Sequence, residues 1–365
     1  MLRKIVTLII LLTLLIDLGS WGGSSGLAAE AEAGGHTVNV CTAEQGQIYI
    51  DAGQYEDAIN EFTCLIEAHP TEVEGYRGRI EAEVLLGRYS DAVRDYQRLF
   101  AFVLPVHPDA RDTIKDGYAA RLAVAPDNIP ALTGVSFARW WFFDYAAAIQ
   151  LLDRLLDLSP NDVYANLFRG SSRFLLGATK SKGAADLERA ITLAPQNAHV
   201  RFIVADAYTY GQPDLQRAFA EASLALAWGL DTPRVHAILA AAYLAFGNLQ
   251  AAAAEILRHF ELVTTELVPG PTLGVDDSLD LNFVPGRTYE VPVPATAGET
   301  ISIRTRSRDF YDSIIVLLAP DGSPVVGSDD FKFYFAGFDW VAEVTGTYRL
   351  RVTSFESVNT GVLVV

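Results

Sequence analysis

The chain runs to 365 residues, half of them apolar, with 28 lysines and arginines against 45 aspartates and glutamates and a formal charge of −17. That length admits two or three domains with sizeable cores. The charge repels nucleic acid and anionic lipid, so binding to a phosphate backbone or an acidic membrane is excluded as a main role, and cationic partners or plain solubility are favoured.

In chain order, Met1-Leu2-Arg3-Lys4 is basic, Ile5 to Ile16 is an uncharged and largely apolar run, and Gly19 to Ala29 is rich in Gly, Ser and Ala. This layout predicts a secretory signal peptide over residues 1–29, with small-residue cleavage options around Ala28 to Ala33. The competing reading is a retained anchor, but the apolar run falls short of the roughly 20 residues that a spanning helix needs. Export to the cell envelope or beyond is therefore expected, with no stable membrane insertion after cleavage, in a compartment where disulfides persist. Gly22-Gly23-Ser24-Ser25-Gly26 fits G-x-S-x-G literally, yet it lies in the leader with no strand before it, so no nucleophile is read there.

Helical hairpins follow. In the first, Gln47 to Ile50 ends one helix, Gly53-Gln54-Tyr55 turns, and Ala58, Phe62 and Leu65 line a second helix up to Pro70. A second hairpin, Val73 to Val103, carries Tyr76, Gly87, Tyr89, Ala92 and Tyr96. Pro105-Val106-His107-Pro108 then interrupts, because proline breaks helices and restrains the residue before it. Ala110 to Val124 reads as one helix, either the second half of a degenerate repeat or a spacer.

From Ile129 onward the rhythm is regular, with Pro126, Pro160 and Pro195 spaced 34 and 35 residues apart. Hairpins start near Ile129, Val163, Ala198 and Pro233, and small residues recur at matching places: Ser136 and Ala148, Gly170, Ala205, then Ala240 and Ala252, with Ala190 a further small residue of the second of these hairpins. Small side chains let paired helices approach closely. Self-similarity at this period marks a solenoid, in which one hairpin cannot bury its apolar face alone. Leu132, Tyr208, Leu187, Tyr243, Gly177, Gly247 and Ile256 complete the pattern, while Phe143 stands where glycine is usual. Position by position, this resembles the tetratricopeptide repeat.

That resemblance implies antiparallel helix pairs whose first helices line an inner face that holds peptide or protein segments. In its register Cys41 and Cys64 lie across the first hairpin, which implies a disulfide; two free buried thiols are the alternative. The inner positions by the same analogy include Phe137, Trp140, Trp141, Ser171, Phe202, Asp206 and Tyr210, with Arg169 and Arg173 near them. Aromatic and arginine side chains make binding hot spots. The plainer reading is that each aromatic packs between neighbouring helices.

Val263 to Pro271 ends the helical pattern. Beyond it apolar and polar residues alternate, as in Leu279 to Phe283, Ile301 to Thr305 and Tyr348 to Val352, between turns such as Pro285-Gly286, Pro320-Asp321-Gly322 and Thr345-Gly346. Short strands of this kind predict an all-β sandwich. Ala297 to Ile303, Ile315 to Gly322, Ser328-Asp329-Asp330 and Thr345 to Tyr348 resemble the bacterial pre-peptidase C-terminal domain, a jelly-roll-like sandwich. An aromatic insertion, Phe331 to Phe335, departs from it. Asp309, Asp312, Asp329 and Asp330 suggest calcium ligands but lack a contiguous calcium-loop spacing, and exposed turn aspartates are the ordinary reading.

The fold expected is therefore multidomain α plus β: an α-solenoid of about six hairpins and then a small all-β sandwich. Its parts are a leader (1–29), hairpins one and two (36–104), a spacer helix and hairpins three to six (105–263), a linker (264–271) and the sandwich (272–365). The six histidines stand singly, with no H-E-x-x-H pair and no phosphate loop, so neither an enzyme activity nor a cofactor or metal is expected. A protein or peptide partner is expected for the array. The alternatives are carbohydrate or surface-polymer binding by the sandwich, with Trp340 and the aromatic insertion in contact, and self-association of the array into an oligomer.

Overall fold

The computed structural model describes residues 41–99, 103, 107, 109–177, 180–211, 213–274, 277–282, 287–307, 313–328, 336–354 and 360–364. The leader, most of the proline break, the insertion Phe331 to Phe335 and the four aspartates of the calcium reading lie outside these residues. The chain divides into two compact units that meet in sequence between residues 212 and 213.

The first unit is helical: α1 (Ala43–Asp51), α2 (Tyr55–Ala68), α3 (Val73–Leu85), α4 (Tyr89–Arg98), α5 (Ala110–Val124), α6 (Ile129–Trp141), α7 (Tyr145–Leu158), α8 (Val163–Leu176), α9 (Lys180–Leu193) and α10 (Ala198–Asp206), which runs on into a π turn over Ala207–Gly211. Local chemistry sets the starts. Asn128, Asp162 and Asn197 each cap a first helix, accepting backbone N–H bonds at 2.8, 2.7 and 2.9 Å. Turns close on glycines with positive φ at Gly53, Gly87 and Gly177, and at the matching place Phe143 adopts φ 62°. A bulky residue is rare in that left-handed region.

Glycines also set how closely helices cross. The ring of Phe62 lies where side chains on Gly46 and Gly78 would be, 2.5 and 2.0 Å from their absent Cβ positions. Cys41 and Cys64 form a disulfide across α1 and α2, with Cα atoms 5.9 Å apart, as the repeat register implies.

One departure from a simple stack follows from α3. Arg77 and Glu81 share one face of it, and Arg79 and Glu83 share another about two residues round. The first face meets α5: Arg121 of α5 donates to Glu81 at 2.7 Å, and the Arg77 guanidinium lies over the Tyr118 ring at 5.3 Å. Tyr118 in turn fills the space above Gly134 of α6, 2.4 Å from its absent Cβ. Helix α5 therefore packs against both α3 and α6. The other face of α3 pairs with α4 through Arg79 and Asp95, whose second bond is 2.9 Å.

The second unit holds α11 (Leu215–Ala227), α12 (Pro233–Ala245) and α13 (Leu249–Val263), then nine strands among the described residues: β1 (Glu266–Pro269), β2 (Ser278–Asn282), β3 (Arg287–Ala295), β4 (Thr300–Ser307), β5 (Ser313–Leu318), β6 (Pro324–Ser328), β7 (Gly337–Val341), β8 (Gly346–Ser354) and β9 (Thr360–Val364). They form a five-stranded sheet in the order β1-β3-β8-β5-β6 and a four-stranded sheet in the order β2-β9-β4-β7. Val291, Ile303, Ile315, Leu317, Phe338 and Leu350 share one core drawn from both sheets.

Two features differ from the sequence expectation. The segment read as a linker contains β1, which pairs in parallel with β3 from Glu266 opposite Arg287. The last hairpin is not separate from the strands either. Ala253, Ile256 and Phe260 of α13 pack with Ile314, Val316 and Leu318 of β5, so every residue of that strand is buried. A terminal hairpin lacks a neighbour for its apolar face, and here the sheet supplies one.

Candidate interaction surface

The first helices of the regular hairpins, α6, α8 and α10, present one face, and α4 occupies it. Tyr89, Val93 and Tyr96 recur at i, i+4 and i+7, which places them on one side of α4, and all three are buried. Tyr96 stacks on Trp141 with ring centroids 5.3 Å apart and tilts against Phe137 at 5.5 Å. Tyr89 meets Phe168 of α8 edge-on at 5.4 Å and Tyr164 at 6.0 Å. Offset and edge-on rings of this kind add about 0.5–1.5 kcal/mol per pair beyond their buried area.

A polar contact fixes the register at the far end. Nδ1 of His199, in the first turn of α10, accepts from the Ser90 amide at 3.3 Å and lies 2.7 Å from Ser90 Oγ. An accepting Nδ1 requires the neutral ring, and burial pushes the imidazole pKa down, which favours that state. Asn197 comes within 3.5 Å of the Cβ that Gly87 lacks, so the turn before α4 also lies against the start of α10.

The residues expected to line the inner face take different places. Phe137, Trp140 and Trp141 join the aromatic cluster under α4 and are at most 4% exposed, and Phe202 is 2% exposed. The Trp140 indole donates to Ser171 Oγ at 3.1 Å, tying α6 to α8. Arg169 and Arg173 turn towards the second helices instead. Arg169 bridges Asp153 of α7 at 2.8 Å and Asp186 of α9 at 2.7 Å, and Arg173 pairs with the same two carboxylates. Asp206 is buried near Tyr145, whose phenol is pushed up by burial and by that carboxylate. Tyr210 is half-buried in the π turn.

The structure thus brings the α6 aromatics together with Tyr89 and Tyr96, which in the sequence stand only as repeat positions. One signal for this is present there. Tyr89, Val93 and Tyr96 recur there at i, i+4 and i+7, an apolar stripe that has to be buried against another element.

The α3–α4 contact carries buried charge. Burial pushes the Glu83 carboxyl well up, and the Asp95 carboxylate adds to this. Glu81 is also raised by burial, against the opposing pull of Arg121 and Arg77. Neither acid belongs to a metal-binding group: among the described residues no cluster of three or more His, Cys, Asp or Glu is placed to hold an ion.

Residues 44–102, which span α1 to α4, match the family model of the tetratricopeptide repeat. None of the curated proteins matches the chain. Among solved structures, a tetratricopeptide repeat protein from Parabacteroides merdae is 17% identical, with a TM-score of 0.37 over 61% of this chain and 78% of its own. A thermophilic TPR protein of Thermus thermophilus is 18% identical, with a TM-score of 0.36, covering 55% of this chain and 97% of its own. Pseudomonas aeruginosa pilF is 16% identical, with a TM-score of 0.35, covering 60% and 89%.

Proposed function

We propose that this chain is an exported, non-enzymatic scaffold for protein–protein interaction, and that the α6–α8–α10 face is its site for a helical segment. The observation that carries the reading is the seating of α4. An amphipathic helix lies on that face through two tyrosines and a polar contact at its end, which is the helix-in-groove mode of recognition. Helix α4 is the occupant from within the chain, and a partner helix with aromatic residues seven apart competes with it. Export is supported by the leader composition over residues 1–29 and by the disulfide. The C-terminal strands act as an accessory module, and their likeness to the pre-peptidase C-terminal domain supports that role.

The test is quantitative capture of partners from envelope extracts by the full chain and by Tyr89→Leu with Tyr96→Leu. The leucines keep the apolar face of α4 but remove its ring contacts. With helicity unchanged by circular dichroism, the variant is expected to recover more of the same partners. Equal recovery by both proteins would mean that the face plays no part in binding.

A further inference from the structure

The other unit holds a cleft of about 540 Å³, lined among others by Leu249 and Gln250 in the first turn of α13 and by Trp340 and Val344. That volume falls within the range of small-ligand pockets. Two of its walls carry carboxylates, Asp321 in the β5–β6 turn and Glu343 after β7.

The charges are not balanced from within. Asp321 accepts from the Ser323 amide at 2.9 Å and hydroxyl at 2.7 Å, which holds its carboxyl below the usual carboxylate range. Those donors are neutral, and neither Asp321 nor Glu343 meets an arginine or lysine among the described residues. Arg349 comes close to the turn, with Nη2 2.9 Å from the Cβ that Gly322 lacks, but the carboxylate it faces is Glu290 at 3.9 Å. On a chain of net charge −17, two uncompensated carboxylates beside one cavity favour a cation.

The rest of the lining narrows the choice. Leu249 and Val344 are 45% and 51% exposed, an apolar surface suited to an aliphatic stem. Trp340 is partly buried against the sandwich core and also lines the cleft. An indole face attracts an ammonium group. One ligand matches these features: a lysine side chain in a peptide, with its ammonium near the carboxylates and the indole and its methylenes on the apolar wall.

We infer that this cleft is a binding site for a lysine side chain of a peptide or protein, formed by Trp340, Asp321, Glu343 and the start of α13. It does not depend on the role given to α4.

Calorimetry on the full chain tests it, with acetyl-Gly-Lys-Gly-amide as probe and its norleucine counterpart and maltotriose as comparisons. The lysine peptide is expected to bind, and the norleucine peptide at least tenfold more weakly. Asp321→Asn with Glu343→Gln should weaken lysine-peptide binding by about tenfold or more, because charged hydrogen bonds are lost. Glu44→Gln with Glu67→Gln, which removes equal charge from the helical unit, should leave it unchanged. Raising salt from about 50 to 300 mM should weaken it as well. Equal affinity for the two peptides, no binding of either, or an unchanged affinity in the Asp321/Glu343 variant would overturn the inference. So would binding of maltotriose in place of the lysine peptide.

Discussion

Two histidines show how placement, more than residue type, sets protonation. His236, in the first turn of α12, has its ring nitrogens 2.6 Å from Glu255 and 2.7 Å from Asp231. Burial pulls its pKa down, but the two carboxylates outweigh that and the net shift is upward. The folded state therefore holds its proton more tightly than the unfolded state. The stability it contributes is complete below the ordinary value of 6.5 and is lost as pH rises through the raised one. Asp231 is shifted down by Arg258 and His236, so its share is lost only in acid, below about 3.8. His199 has the opposite sign: its pKa is lowered, and its contribution is present above 6.5 and lost as pH falls. Thermal melts from about pH 5 to 8 should show His236→Gln flattening the loss of stability at the alkaline end, and His199→Gln flattening the loss at the acid end. If both changes act at the same end, the assigned protonation states are wrong. His236 and His199 were legible as lone histidines, but the acids or hydroxyl facing each could not be read from the sequence. Asp231 and Glu255 lie 5 and 19 residues from His236, whereas Ser90 lies 109 from His199.

For the helices and strands, close approach is the controlling quantity. Gly327 of β6 lies where a side chain would come within 2.8 Å of Ile256 and 3.1 Å of the Ile315 carbonyl. Gly327→Val should cost about 1–3 kcal/mol by overpacking the junction of α13 and the sheet, read as a lowered midpoint in urea unfolding. Gly170 is similarly tight, 2.8 Å from Leu187 and 2.9 Å from the Gly183 carbonyl. The recurrence of small residues predicts that position, because helix crossing depends on side-chain size alone. The burial of β5 on both faces also has a trace in the sequence, since Ile314 to Leu318 is a continuous apolar run rather than an alternating one. What covers the second face was not readable, because any amphipathic element of the right length satisfies the same pattern. Closing the loop of 23 residues between Cys41 and Cys64 should stabilise the first hairpin by about 3 kcal/mol. Unfolding with and without reductant measures this, and a reductant-insensitive midpoint would show that the hairpin stands without its crosslink.

Across the whole molecule, the charge of −17 predicts no retention on DNA or heparin at physiological salt. Retention there would reveal a basic patch that the composition hides. The sequence by itself determined the hairpin rhythm and the glycine turns, and the repeat resemblance implied the pairing of Cys41 with Cys64. Each of these is settled within about one repeat of chain by backbone conformation and side-chain size. Only the tertiary structure decided that α5 packs on α3 besides α4, that α4 covers the aromatics of α6 and α8, and that the last hairpin closes on β5. In each case two or more amphipathic surfaces were equally suitable by pattern. The choice rests on contacts between distant residues, such as Glu81 with Arg121 and Ser90 with His199, 40 and 109 residues apart. Apolar periodicity says that a face must be buried, and the folded chain alone selects what buries it.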